Sequence, residues 1–127
     1  MARLYYLKVK GGEHGEFECN ELQDYYDKLE CDCFDVARMF VGGKLFDLYV
    51  DDEGLLKETI IPGVIDTKTG EPLLAGNVVF ANHNSAGETT SLSNDDIRLI
   101  RESLVRGLVF LDDTPTLVTM ARASYER

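Results

Sequence analysis

No apolar run in this 127-residue chain approaches the ~18 residues needed to cross a bilayer, which argues against a membrane-spanning helix. Positive charge is also scarce: 13 Lys and Arg stand against 23 Asp and Glu, a net charge of −10. A sequence-independent grip on nucleic acid needs basic side chains to displace condensed counterions, so no direct nucleic-acid binding is expected. An anionic membrane surface is disfavoured for the same reason. Acidity favours solubility, or a partner with a basic surface. Cysteine is sparse and odd in number, at Cys19, Cys31 and Cys33. One residue between the last two suits neither a routine disulfide nor a Cys-x-x-Cys zinc knuckle. The three read as small apolar residues in a reduced compartment. Met1-Ala2-Arg3-Leu4 leads straight into a strand-like segment without the apolar stretch of a signal peptide, so a cytoplasmic protein is expected.

What is present reads as one domain over residues 1–127, long enough to bury a core without metal or disulfide support. Tyr5, Leu7 and Val9 alternate with Lys8 and Lys10 in the period of a half-buried strand. A glycine-rich turn over residues 11–15 and a second alternating run, Glu16 to Cys19, complete a hairpin. Asn20 has the chemistry of a helix N-cap, with Gln23 three residues on. Leu22, Tyr25, Tyr26 and Leu29 then form the apolar stripe of a short helix. Gly42-Gly43 between the runs 35–41 and 44–51 signals a tight hairpin. In its second strand Phe46, Leu48 and Val50 face one way, and Leu45, Asp47 and Tyr49 the other.

Residues 51–54 and 67–70 read as turns, and Thr59 to Val64 as a strand broken at Pro62-Gly63. Asn77 to Ala81 is the most apolar strand and is expected at the sheet centre. Ser93 caps a second helix, with Asp95 and Asp96 in its first turn and Leu92 stapled to Ile97. Its stripe runs through Ile97, Ile100, Leu104 and Leu108, and Gly107 marks its end. Residues 109–127 form a C-terminal extension, either a late strand or a short helix, with a turn at Asp112-Asp113-Thr114-Pro115. The fold class is α+β: a mainly antiparallel sheet of about five or six strands with two helices packed on one face.

The Gly42-Gly43-Lys44 turn, Val50 to Lys57, Ala75 to Val79 and Ser91 to Ile97, in this order and spacing, resemble a domain-of-unknown-function family, family 3846. The resemblance covers about Leu4 to Leu104. It implies a small α+β domain in a bacterial, phage or other mobile-element setting, and it carries no catalytic residues to transfer.

The candidate ligand-binding residues are Asn82, His83, Asn84 and Ser85, in the polar loop after the most apolar strand. His83 has the chemistry of a general base, but no acid partner is evident in the sequence. Ser85 lacks the Gly-x-Ser-x-Gly elbow of a nucleophile. Cys19, Cys31, Cys33 and His83 supply zinc-ligand types at unsuitable spacing. Asp51 to Gly54 lacks the twelve-residue calcium-loop pattern, and the Gly11-Gly12 turn lacks the Lys-Ser/Thr of a phosphate loop. No catalytic residues, metal or cofactor are therefore expected. The function expected is that of an acidic, non-enzymatic binding or regulatory protein of a phage or other mobile element, acting on a protein partner. Alternatives are an inhibitor that mimics nucleic acid and a binder of a small, nucleotide-like ligand. Open sheet edges would permit a homodimer.

Overall fold

A computed structural model describes residues 2–53 and 61–126. The elements are β1 (Ala2–Lys8), β2 (Glu13–Cys19), α1 (Leu22–Leu29), β3 (Phe34–Val41), β4 (Lys44–Asp51), β5 (Pro62–Asp66), β6 (Pro72–Ala75), β7 (Val78–His83), β8 (Thr89–Thr90), α2 (Asn94–Ser103), β9 (Leu104–Leu111) and β10 (Thr114–Ala123). The class is α+β, with a six-stranded antiparallel sheet in the order β2-β1-β7-β4-β3 and β8 paired to β7. A second sheet, β6-β5-β10-β9, lies outside the single sheet expected; its β5–β10 pairing is parallel.

β7 sits at the centre of the first sheet, as its apolar content predicts. Val78, Val79, Phe80 and Ala81 are all buried, so both faces of this strand must be covered. Val78 and Phe80 point into the larger core with Tyr5, Leu7, Phe46, Leu48 and Val50. Val64, Val118, Met120 and Ala121 of the second sheet close that core, as do Leu92, Ile97 and Ile100 around α2. Val79 and Ala81 point the opposite way, into a smaller cluster with Leu4, Cys19 and Leu29 of α1. The helices are thus divided between the two faces of the sheet rather than sharing one. A strand apolar on both sides needs a cover on each, and α1 supplies the second.

Local chemistry explains most boundaries. Ser93 caps α2: its Oγ accepts from Asp96 N–H at 3.1 Å, and Asp96 Oδ2 accepts from Ser93 N–H at 2.8 Å. Asp96 also accepts from Asn82 Nδ2 at 2.8 Å and from the Lys44 ammonium, which joins α2 to β7 and to the β3–β4 turn. At α1 the cap is Glu21, one residue later than expected. There Asp24, not Gln23, reaches back to accept from the backbone N–H of Asn20 (2.7 Å) and Glu21 (3.1 Å). A charged acceptor of the right length displaces the amide.

The largest departure follows α2. The helix stops at Ser103 and the chain passes directly into β9, so Leu108 belongs to a strand and is exposed. The helical spacing of Leu104 and Leu108 competes with a period-two set, Val105, Gly107 and Val109. That set faces Met120, Val118 and Thr116 across the β9–β10 ladder. Tertiary pairing decides in its favour. Residues 109–123 are therefore integral to the second sheet, with a two-residue turn at Asp112-Asp113, both at positive φ (50° and 62°). The strand expected from Thr59 begins at Pro62 among the described residues; Thr59, Ile60 and Gly54 lie outside them.

Gly63 lies at an irregularity in the β5–β6 pairing, and a Cβ there would sit 2.0 Å from the carbonyl oxygen of Gly76. Backbone cannot yield as a side-chain tip can, so Gly63→Ala is expected to lower the unfolding free energy by about 3 kcal/mol in urea denaturation. Asp96 supplies a pH prediction. Burial pushes its carboxyl up, but the bonds from Lys44 and Ser93 together outweigh this and hold it below the ordinary value. Its contribution is complete above the unfolded-state pKa of roughly 3.9 and is lost as pH falls through the lower native value. Asp96→Asn should lower stability at neutral pH and flatten the acid limb of the stability profile; acid titration of the melting temperature checks both.

Candidate functional site

Consecutive side chains on a strand point to opposite faces, so β7 separates two of the four loop residues singled out from sequence. Asn82 turns toward the larger core and is tied to Asp96. His83 turns to the α1 side. Asn84 folds the loop on itself: its Oδ1 accepts from the N–H groups of Ala86 and Glu88, both at 3.0 Å. Gly87 N–H bonds back to the Asn84 carbonyl at 3.0 Å, and the chain returns as β8. Ser85 is an exposed residue of this turn. Asn82 and His83 thus lie on opposite faces of the sheet, and Asn84 and Ser85 belong to the turn beyond them.

His83 meets a residue that the sequence reading left as an ordinary strand position. Its Nδ1 donates to Asp47 Oδ2 at 2.9 Å. Asp47 is only 4% exposed, and Arg38 Nε lies 3.3 Å from its other oxygen, which accepts no hydrogen bond. A carboxylate can only accept, so Nδ1 carries the hydrogen of this bond. The His83 side chain is 30% exposed. The available signal was Asp47 itself, a carboxylate inside the run Leu45 to Val50. A charge placed among inward-packing neighbours needs partners, and the register β3–β4–β7 brings Arg38 and His83 to it.

Chemically, Asp47 orients the imidazole as the acid of a catalytic pair does. No hydroxyl or thiol bonds to His83 among the described residues. Cys19 is buried, Cys31 half-buried and Cys33 exposed. No three His, Cys, Asp or Glu side chains gather as metal ligands among the described residues. The other histidine has a structural partner. Arg101 Nε donates to the Tyr5 hydroxyl at 3.1 Å, leaving the phenol hydrogen for His14 Nδ1 at 2.6 Å. Tyr25, expected in the core, packs on Tyr49 and Phe34 with ring centroids 4.7 and 5.3 Å away, and burial pushes its phenol far above the usual range.

A second candidate was not legible in the sequence. On the face of the β9–β10 hairpin turned from the core, Phe110 is 69%, Leu108 61% and Leu117 59% exposed. Leu108 is directly opposite Leu117, and Phe110 opposite Pro115, so the four form one apolar strip. Arg106 borders it on the same strand face, across from Thr119.

For the histidine pair, His83→Ala leaves the buried Asp47 carboxylate with Arg38 alone. It is expected to cost about 2 kcal/mol in chemical denaturation. Ser85→Ala, at an exposed turn position, should stay within about 0.5 kcal/mol.

The family model described as a domain of unknown function (DUF3846) matches residues 5–105. Comparison with curated proteins and with solved structures gives no match. The matched span includes Arg38, Asp47 and His83, whereas the exposed strip at Leu108, Phe110 and Leu117 lies beyond it. With most of its length covered by that match, the chain belongs to the DUF3846 family.

Proposed function

We propose that this protein is a non-enzymatic binding and regulatory protein of a phage or other mobile element, and that its docking surface is the β9–β10 strip. The observation that carries this reading is the exposure of Leu108, Phe110 and Leu117 side by side on one hairpin face. Scattered exposed apolar residues are ordinary, but a contiguous group on one sheet face marks a contact surface. Aromatic side chains such as Phe110 make effective anchors because they bury a large area with few rotamers to freeze. Asp112 and Asp113 at the hairpin tip, with the net charge of −10, favour a partner whose apolar seat is ringed by basic groups. Sparse cysteine, three in 127 residues, accords with action in the cytoplasm.

His83 has a structural role in this reading: with Arg38 it compensates a buried carboxylate. The expected result is that immobilised protein retains a stoichiometric host partner from lysate and that Leu108→Ser/Phe110→Ser loses it. Retention of the same partner by the correctly folded double variant would refute the hairpin as the docking surface.

A further inference from the structure

We propose that two copies of this chain pair edge to edge through β9, and that this dimer presents the docking strip in its complete form. The inference rests on the hairpin reading above and extends that surface with the strip of a second copy.

Four strands end the two sheets, and β9 is the least protected of them. β2 carries Glu13, Glu16 and Glu18 along its length. β3 carries Asp35 and Arg38, and its Phe40 is bridged to Ser124. β6 has only four residues and begins with Pro72. β9 has eight residues, no proline and a single charge, Arg106. Charge, proline, shortness and cover are the means by which soluble proteins blunt a sheet edge, and β9 has little of any.

The geometry of the hairpin restricts how a second strand can pair. A two-residue turn with both φ positive closes on a hydrogen-bonded pair, here Leu111 with Thr114. Alternate pairs along an antiparallel ladder are hydrogen-bonded, so Gly107, Val109 and Leu111 bond to β10. Arg106, Leu108 and Phe110 then direct their N–H and C=O groups to the open edge. Two copies related by a two-fold axis must align these outward groups with one another. Placing the axis at Leu108 sets Arg106 against Phe110 of the second copy and leaves Asp112 opposite Leu104. Placing it at Phe110 sets Leu108 against Asp112.

With the axis at Val109, each Leu108 lies beside the second copy's Phe110 and each Arg106 opposite its Asp112. Arg106, Leu108 and Phe110 project on the same face as the strip, and Asp112, the first residue of the turn, lies just past the strand end beside the second copy's Arg106. Among the described residues neither Arg106 nor Asp112 has an ion-pair partner, so this register gives both charges a complement twice over. It also joins the two apolar strips across the seam, and a surface of four side chains becomes one of eight. The negative charge of each copy opposes association, so the pairing is best measured at physiological ionic strength.

The test is sedimentation equilibrium of the full chain, with circular dichroism to confirm that each variant is folded. The wild type is expected to form dimers, and Arg106→Asp or Asp112→Lys alone to weaken them at least about tenfold, because like charges then face each other at both ends of the seam. An equimolar mixture of the two variants should recover the wild-type affinity, since in the mixed dimer every charge again meets its opposite. A wild type that stays monomeric, a dimer indifferent to both reversals, or a mixture no tighter than the single variants would each overturn the proposal. Partner capture by a monomeric wild type would sink the dimer and leave the docking reading intact. Capture that survives loss of Leu108 and Phe110 would sink the docking reading instead.

Discussion

Burial of β7 on both faces is the constraint from which the rest of the architecture follows. Val78 and Phe80 require an apolar cover on one side, and Val79 and Ala81 require another on the opposite side. A six-stranded sheet with one helix leaves the first side open. The second sheet and α2 close it, with Val64, Val118 and Ile100 reaching the same core. The division of the helices and the position of β10 between β5 and β9 serve this one requirement.

Covering both faces also dictates how charge is handled near the strand ends. Asp47 and Asp96 are removed from water by the elements stacked around them, and a buried carboxylate is tolerable only when cationic or hydrogen-bond donors reach it. Lys44, Asn82 and Ser93 converge on Asp96, while Arg38 and His83 flank Asp47. Adjacent residues of β7, Asn82 and His83, thereby serve different acids on different faces. What looked in sequence like a polar recognition loop is largely a pair of internal ties followed by a self-bonded turn.

Features whose cause lies within a few residues could be read directly. Ser93 and Asp96 satisfy each other's backbone groups without help from the rest of the chain, so the start of α2 is apparent. The Gly42-Gly43 turn adopts the positive φ its glycines allow, 62° and 88°. The apolar content of Asn77 to Ala81 placed β7 at the centre because few other positions bury both sides. The cap of α1 was misplaced by one residue since Asp24 and Gln23 offer similar local chemistry, and the charged acceptor is the one that takes the backbone N–H groups. His83 was recognised as the notable side chain of its loop, yet its partner Asp47 is thirty-six residues earlier and becomes visible only through strand register.

The sequence by itself determined the class, the central strand, the start of α2 and the scarcity of positive charge, because each is set by composition or by bonds between near neighbours. Tertiary structure alone decided that the apolar residues after Ser103 form a strand, that a second sheet exists, and that Asp47 holds His83. It also decided which apolar side chains remain outside. Leu108 and Phe110 have the same local pattern as core residues, and only the placement of β10 and the larger core turns Val105 and Val109 inward and leaves Leu108 and Phe110 to solvent. Burial is a property of the whole assembly of elements, so the exposed apolar strip of the β9–β10 hairpin could not be read from any segment alone.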